Sequence, residues 1–179
     1  GAVFGNPAPV LTLRPQWSGP LPPQAPIKVA SRGGVDLHPL IPANPDHALR
    51  LQAYLWPDQP ERLTLTRAAI TVAKTPVTKG DAIDWLADRL AQQTGQVHLI
   101  YSTVAWQYFP AEKQAMGAKL IAAAGGVATK DSPLAWFGME NDGGERGAAL
   151  TLRLWPGDHT MNLGRADFHG RWIEWRSIA

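Results

Sequence analysis

Apolar segments of strand length alternate with segments of helical period along this chain, and this order restricts the fold more than any other feature. Strand patterns cover residues 27–37, 76–79, 97–103 and 133–139, and helical patterns lie between them. An alternation of strands and helices is typical of a parallel sheet with helices on both faces. The sequence therefore predicts a mostly parallel, Rossmann-like α/β sheet, in which ligands bind at the carboxyl ends of the strands.

The first two helices have recognisable start signals. Asn44 followed by Pro45 is typical of an N-cap and a first helical position, which predicts a helix to about residue 55. Asp58 could cap a second helix over residues 60–74. These signals predict a helical pair between the first two strands.

The next two helices also have clear boundaries. An amphipathic helix with apolar residues three and four apart follows Gly80-Asp81 and is expected to end at Thr94-Gly95. Another helix is expected to open at Pro110 and to stop at Gly125-Gly126. Both are of a length that can cover one face of a sheet.

The carboxyl-terminal part predicts a hairpin. Residues 150–154 alternate strictly between apolar and polar side chains, and residues 168–175 form the last strand pattern. The linker over residues 155–167 is too short for a helical crossover, so we expect these two strands to pair antiparallel. This hairpin would complete the sheet.

The amino-terminal part has a different character. Residues 1–26 hold seven prolines and little periodicity, and only residues 10–13 could form a short strand. We expect residues 1–26 to be an irregular arm and residues 27–179 to form a single α/β domain.

Composition excludes several classes of partner. The net charge is +2 and the basic residues are scattered, so we expect no nucleic-acid partner. No apolar stretch is long enough to cross a membrane. The chain has no cysteine, which excludes disulfides and thiolate metal sites and fits a cytoplasmic location. A small-molecule ligand is the partner class that remains.

Acids mark the ends of two predicted strands. Asp36 ends the first strand, where an acid can accept hydrogen bonds from ribose hydroxyls, but it could equally be a turn residue. Asp81 follows the second strand and could lie near an adenine. N-capping, with Asp84 as an acid in the first turn, is the more economical explanation of Asp81.

Polar and aromatic side chains at the later strand ends form a candidate pocket wall. Ser102, Trp106, Gln107 and Tyr108 follow the central apolar strand, and Glu140 follows the next one. For Trp106 and Tyr108, packing against the next helix is an equally good explanation. The surrounding residues do not match a serine-nucleophile elbow.

Two further loops supply candidate pocket residues. Trp56, Asp58 and Gln59 lie in a tight break between helices that could close over a ligand, with helix capping as the simpler role for Asp58. Trp155 follows the alternating strand and is the last candidate for the pocket.

Two His and two Asp near the carboxyl terminus raise the question of a metal. They are Asp158, His159, Asp167 and His169, and we expect the last two on one face of a strand. Their spacing matches no strong ligand motif, so we expect no metal. His169 could act as a general base if the hairpin reaches the same edge as the pocket.

Several uncommon motifs occur in order along nearly the whole chain. They are WSG at 17–19, RGGVDLHP at 32–39, WPDQ at 56–59, WQY at 106–108, PLAW at 133–136, LWPG at 154–157 and FHGRW at 168–172. Together they resemble a bacterial family of uncharacterised proteins, domain of unknown function 2332. The family implies no activity that can be transferred.

A more distant resemblance is to class I S-adenosylmethionine-dependent methyltransferases. There an acid ends the second strand, as Asp36 would, and another follows the third, as Asp81 would. A polar and aromatic stretch follows the fourth strand, as residues 102–108 would, and an antiparallel hairpin ends the sheet. The resemblance implies S-adenosylmethionine as the cofactor, with Asp36 at its ribose, Asp81 near its adenine and Ser102 in the cofactor site.

One departure from this pattern affects the expected site. Members of the uncharacterised family begin earlier, with a Gly-rich strand-to-helix turn that in methyltransferases cradles the cofactor. The resemblance therefore implies a carboxyl-terminal part of a longer protein, whose sheet lacks its first strand. We expect an incomplete cofactor site and an exposed strand edge that pairs with another chain as a homo-oligomer.

Three functions follow from these expectations. The leading one is a methyltransferase-like domain, as the more distant resemblance implies. Methyl transfer needs mainly the placement of two reactants, so no protein nucleophile is expected. The alternatives are a non-enzymatic binding or scaffold domain, and a metal-dependent hydrolase. The hydrolase requires Asp158, His159, Asp167 and His169 to converge.

Overall fold

The computed structural model describes residues 4–5, 8–90, 95–144 and 146–176, and the chain divides into two compact units. The first unit is Gly1–Leu13 with Pro23–Ala82, and the second is Arg14–Pro22 with Ile83–Ala179. The expected single domain over residues 27–179 stays a prediction. None of the described helices is long and apolar enough to span a membrane.

Strands and helices are numbered here in chain order. The strands are β1 (Gln16–Ser18), β2 (Gly34–Asp36), β3 (Val77–Lys79), β4 (His98–Thr103), β5 (Leu134–Glu140), β6 (Ala148–Trp155), β7 (His159–Ala166) and β8 (Trp172–Trp175). The helices are α1 (Pro45–Ala53), α2 (Pro60–Val72), α3 (Ala82–Leu90) and α4 (Ala111–Gly126), with a 3-10 turn at Trp106–Tyr108. The mixed α/β class is confirmed.

In the first unit, β2 and β3 pair in parallel, with Asp36 opposite Lys79. The predicted start of α1 is confirmed, since the Asn44 side chain accepts the N–H groups of Asp46 and His47. Helix α2 also begins at Pro60 as predicted.

Three boundaries in the first unit differ from the predictions. The predicted eleven-residue strand ending at residue 37 is reduced to the three residues of β2. Asp58 does not cap α2, because the N-cap position is Gln59, whose side chain makes no capping bond. Residues 10–13 are not a strand; instead β1, in the second unit, forms further along the expected irregular arm. Pro-rich segments carry little of the periodicity that marks a strand.

No described residue of the first unit is buried. Leu37, Leu49, Trp56 and Val77 are among its exposed large apolar side chains. A two-stranded sheet is marginally stable by itself in water. The described part of this unit therefore lacks the enclosed apolar core that stabilises a typical small domain.

The second unit contains a six-stranded sheet in the order β1-β8-β7-β6-β5-β4. Strands β4 and β5 pair in parallel, and so do β1 and β8, whereas the three pairs from β5 to β8 are antiparallel. The expectation of a mostly parallel sheet is therefore wrong for this unit. The Rossmann-like assignment stays a prediction.

The expected antiparallel pairing of residues 150–154 with residues 168–175 is wrong, because another strand lies between them. Strand β6 pairs with β7, which lies within the segment expected to be a linker, and β8 is the next strand beyond it. A register shift between Leu150 and Thr151 interrupts the β6–β7 ladder. At Gly164 a side chain would clash with the Glu174 carbonyl. A bulge and a glycine disturb the alternation by which a strand is recognised in a sequence.

The described part of the second unit has two buried apolar clusters, of which the smaller contains Leu150, Leu163 and Ala166. The larger lies between one face of the sheet and the helices α3 and α4, and its buried side chains are Leu86, Leu90, Ile121, Leu134 and Trp155. The predicted apolar stripe of α3 is confirmed, and its expected end at Thr94 lies outside the described residues. Helix α4 ends at the predicted glycine pair.

Gly125 brings α4 into close contact with the sheet. A Cβ atom at this position would overlap the indole ring of Trp155, so only glycine allows the present spacing. Gly126, the next residue, has no such neighbour. The first glycine of the pair is therefore a packing residue.

Asp167 organises the tight turn that joins β7 to β8. Its buried carboxylate accepts the backbone N–H groups of His169 (3.0 Å) and Arg171 (3.2 Å), and it also binds the Arg171 guanidinium (2.7 and 2.9 Å). The hydrogen bonds from that guanidinium hold the pKa of Asp167 well below its usual range. The ionised carboxylate is thus part of the turn.

Gly125→Ala should lower the free energy of unfolding by about 1–3 kcal/mol, because the added methyl group overpacks the contact with Trp155. The matched control is Gly126→Ala, which should leave stability unchanged or slightly raised, because alanine favours a helix. Urea unfolding of both variants measures the difference. Equal stability of the two would contradict the proposed close packing.

Asp167→Asn should reduce stability at pH 7 by about 1–3 kcal/mol, because the charge-assisted bonds to Arg171 are lost. The folded-state pKa of Asp167 is depressed, so its stabilising effect is complete above the unfolded pKa of about 4 and is lost as the pH falls through the folded value. In urea unfolding, the difference between wild type and variant should be constant above about pH 5 and shrink at lower pH.

The exposed Asp131 provides a control for this pH dependence. Asp131→Asn should change stability by less than about 0.5 kcal/mol, as is usual for surface substitutions. A wild-type-to-Asp167→Asn difference that stays the same down to pH 3 would argue against an ionised, stabilising Asp167.

Candidate functional site

The turn after β4 is the most unusual backbone feature at the carboxyl ends of β4 and β5. Val104 has a φ of 53°, which is costly for a β-branched residue. Its N–H donates to the carbonyl oxygen of Met139 at 2.8 Å, and the 3-10 turn begins two residues later. This strained residue redirects the chain at the end of the strand.

Glu140 stabilises this turn from the end of β5. Its carboxylate accepts the backbone N–H groups of Ala105 (3.1 Å), Trp106 (3.1 Å) and Gln107 (3.4 Å). An anion at the amino end of a helical turn satisfies N–H groups that have no partner within the turn. Glu140 is therefore a positioning residue, and its hydrogen-bonding capacity is largely used within the protein.

Gln107 joins the turns that follow β4 and β5. Its side-chain oxygen accepts the N–H of Asn141 at 2.6 Å, and its amide nitrogen makes no hydrogen bond to any described residue. The structure thus brings Gln107 and Glu140 together at the ends of neighbouring strands. Two donor hydrogens of Gln107 stay available to a ligand.

Ser102 has a buried side-chain oxygen without a partner. Within the part of the chain that the structure describes, its Oγ is the one buried side-chain polar atom that has no hydrogen bond. Ser102 lies opposite Gly138 in the β4–β5 register, near the carboxyl end of β4. Leaving a buried hydroxyl unsatisfied costs free energy, so this atom can gain a hydrogen bond from an added group.

The aromatic residues after β4 separate into a core residue and a surface residue. The ring of Trp106 packs against Trp136 at 5.0 Å and Phe109 at 5.5 Å, between the sheet and α4. Tyr108 has 74% of its surface exposed. Trp106 is therefore a core side chain rather than the predicted pocket wall, and Tyr108 lies open to solvent.

Trp155 is at the wrong end of the sheet for the predicted pocket. Because β6 runs antiparallel to β5, Trp155 pairs with Leu134 at the amino end of β5, whereas Glu140 pairs with Ala149. Its ring is buried in the core, and the Arg153 guanidinium lies 4.7 Å from the ring centre. The prediction failed because the strand direction was not apparent from the sequence.

The four candidate metal ligands do not converge. Asp158 and His159 lie at the start of β7 and Asp167 and His169 beyond its end, so the eight residues of β7 separate the pairs by about 25 Å. Asp158 binds the Arg153 guanidinium at 2.5 and 2.9 Å. No group of three His, Cys, Asp or Glu side chains suited to a metal occurs within the described residues. This geometry excludes the four-ligand set that the metal-dependent hydrolase alternative requires.

His169 lies in the β7–β8 turn and not on a strand, so the expected shared strand face with Asp167 is wrong. Strand β7 runs in the same direction as β5, which places His169 at the same sheet edge as Glu140. Two strand spacings, about 10 Å, separate the ends of β5 and β7. The exposed His169 therefore lies at the same end of the sheet as Glu140, which its suggested role as a general base requires.

Arg165 and Asp142 were not singled out from the sequence. The Arg165 guanidinium binds both Asp142 oxygens at 2.9 Å and also donates to the carbonyls of Arg146 and Gly147. These bonds stabilise the Gly-rich loop after β5 and lower the pKa of Asp142. An acid in a Gly-rich loop, Asp142, was the sequence signal for this ion pair. Its partner Arg165 lies more than twenty residues further along the chain, so the pair was not recognisable from the sequence.

In the first unit, the candidate acids lie at the same end of the two-stranded sheet. The Oδ1 atom of Asp36 accepts the His38 N–H at 2.7 Å, which forms the predicted turn alternative, and Oδ2 has no hydrogen bond to a described residue. The Gly80 N–H donates to the Asp36 carbonyl at 3.0 Å, and Asp81 follows directly. Asp36 and Asp81 are therefore neighbouring strand-end acids.

The loop between α1 and α2 contains the remaining candidates. Trp56 and Asp58 are exposed, and the Gln59 side-chain oxygen accepts a hydrogen bond from the Arg62 guanidinium at 2.7 Å. Their role in closing over a ligand stays a prediction.

Comparison with known proteins identifies a family and no characterised relative. The family model described as "Uncharacterized protein conserved in bacteria (DUF2332)" matches residues 1–175. No curated protein and no solved structure matches the chain. The match covers nearly the whole length and agrees with the motifs from which the resemblance was recognised. This chain therefore belongs to the bacterial family of uncharacterised proteins called domain of unknown function 2332.

Proposed function

We propose that this protein binds an adenosine-containing ligand of the S-adenosylmethionine type and acts as a methyltransferase-like domain. The observation that carries the proposal is Asp36, at the carboxyl end of a strand that pairs in parallel with β3. Its turn uses Oδ1 and leaves Oδ2 without a bond to any described residue. A carboxylate at a strand end is suited to accept hydrogen bonds from ribose hydroxyls.

Asp81 extends this candidate adenosine site. It follows β3 on the same side of the two-stranded sheet as Asp36. We propose that Asp81 lies near the adenine and Asp36 at the ribose.

The second unit offers separate polar groups for a ligand. Ser102 has an unpartnered hydroxyl and Gln107 an amide nitrogen without a bond to a described residue, both beside the turn held by Glu140. Glu140 and the β4–β5 pairing hold the backbone that carries these groups in place before a ligand binds. We propose Ser102 and Gln107 as ligand-binding residues of this unit.

In this proposal the protein contributes placement and proton removal. Methyl transfer proceeds when the methyl donor and the acceptor atom are held in line at close distance, so no covalent intermediate with the protein is needed. His169, exposed at the β5 and β7 strand ends, is the candidate base for an acceptor that loses a proton.

A second candidate is a binding or scaffold domain without catalysis. Three acidic side chains at the carboxyl ends of β5 and β7 favour this candidate, because each already forms hydrogen bonds within the protein. Glu140 binds backbone N–H groups, Asp142 binds Arg165 and Asp167 binds Arg171. Few carboxylates at this end of the sheet are therefore left for acid–base chemistry.

S-adenosylhomocysteine at about a hundred times its dissociation constant should stabilise the protein by about 2.7 kcal/mol, which thermal unfolding would detect as a raised Tm. Asp36→Asn should abolish the rise, because the amide can still accept the His38 N–H through its oxygen but loses the charge offered to the ribose. The matched control is Asp46→Asn, an exposed acid of the same unit, and it should keep the rise.

Two outcomes would count against the adenosine site. The first is an unchanged Tm of the folded wild type with saturating S-adenosylhomocysteine. The second is an equal rise in wild type and Asp36→Asn. A rise lost in Asp36→Asn, without transfer of a labelled methyl group from S-adenosylmethionine to a bacterial metabolite extract, would favour the non-catalytic binding domain.

Ser102→Ala should stabilise the ligand-free protein by about 1 kcal/mol, because it removes a buried hydroxyl that has no partner. Thr103→Ala, at the neighbouring exposed position, is the control and should leave the stability unchanged. A destabilised Ser102→Ala would show that the hydroxyl already has a stabilising partner.

A further inference from the structure

Strand β4 forms one end of the six-stranded sheet. It pairs with β5 on one side, and no described strand of this unit pairs with its other side. The opposite end of the sheet is β1, which has three residues, whereas β4 has six. The longer of the two open edges is therefore the one beside the strained turn.

Backbone hydrogen bonds show which groups of β4 face the open side. The His98 N–H donates to the carbonyl of Pro133 at 3.0 Å, and the Val104 N–H donates to Met139 at 2.8 Å. Because strand residues alternate in direction, the even-numbered residues of β4 direct their backbone groups toward β5. The N–H and C=O groups of Leu99, Tyr101 and Thr103 consequently face away from β5, along the open edge.

The side chains of this edge lack the usual protection against strand pairing. Leu99 and Tyr101 are 54% and 67% exposed, and Val97 just before the strand is 65% exposed. Strand β4 contains no proline and no lysine, arginine, aspartate or glutamate. Natural edge strands are generally blocked by charges, prolines or bulges, so an unprotected apolar edge indicates an interaction surface.

We propose that β4 pairs antiparallel with β4 of a second copy of this chain. A two-fold axis at Ile100 would place Leu99 opposite Tyr101 of the second copy, and Tyr101 opposite Leu99. These residues carry the outward backbone groups, so each such pair would exchange N–H···O=C bonds across the interface. The arrangement joins two six-stranded sheets into one continuous sheet.

The edge is complementary to itself, which favours a second copy as the occupant. A two-fold interface uses the same surface twice, so aliphatic Leu99 meets aromatic Tyr101 on both sides of the axis. Partial burial and the positive charge of Arg89 lower the pKa of His98, which favours the neutral form of its ring. Two β4 strands therefore approach without repulsion between like charges on the strand itself.

The oligomeric state of the chain tests this proposal. Light scattering coupled to size exclusion should give twice the chain mass of 19.4 kDa, falling toward the monomer on dilution. Tyr101→Pro removes an outward N–H without breaking a bond to β5 and should give a monomer. Leu99→Lys should also give a monomer, because the charge protects the edge.

The matched control is Val127→Lys, since Val127 is 67% exposed and follows α4. It should remain a dimer. Circular dichroism and thermal unfolding of each variant establish that a monomer is folded. A wild-type monomer at all concentrations would overturn the proposal, and so would a dimer that persists in both folded β4 variants.

The register can be tested by cross-linking, because the chain has no native cysteine. In the double variant Leu99→Cys with Tyr101→Cys, opposite residues would be about 5.5 Å apart at Cα, within the range for a disulfide. Oxidation should yield a covalent dimer from the double variant but not from Leu99→Cys alone. A covalent dimer from the single variant would exclude the Ile100-centred register.

Discussion

The packing of α3 and α4 on one face of the sheet is the interaction on which the second unit depends. Trp155 is enclosed there by Leu134, Ile121 and the glycine face of α4. This contact sets the distance between helix and sheet, and Trp106 enters the same layer from the turn after β4. The turn is therefore held in place both by the packing of Trp106 in the core and by the hydrogen bonds to Glu140. The polar groups beside the turn are consequently held in fixed positions.

The features that could be predicted from the sequence are local. The N-cap at Asn44, the apolar stripe of α3 and the glycine stop of α4 each depend on residues a few positions apart. The β4 and β5 segments were recognisable because both are nearly continuous apolar runs. Their parallel pairing with a neighbour was correctly anticipated from the helix that connects them.

The features that could not be predicted depend on distant residues. The direction of β6 decides that Trp155 lies away from Glu140, and no property of Trp155 itself reports that direction. The bulge at Leu163 and the glycine next to it hid the whole of strand β7. Similarly, Glu140 was expected to line the pocket because its backbone partners, more than thirty residues away, are not marked by residue type.

The absence of buried side chains from the described part of the first unit has an energetic consequence for Asp36. A segment with little enclosed apolar surface opens locally at a small free-energy cost. A ligand held by such a segment contributes to its ordering, and the binding reaction then includes part of the folding reaction. Calorimetry would register this coupling as a more negative heat-capacity change than the ligand's own apolar surface explains.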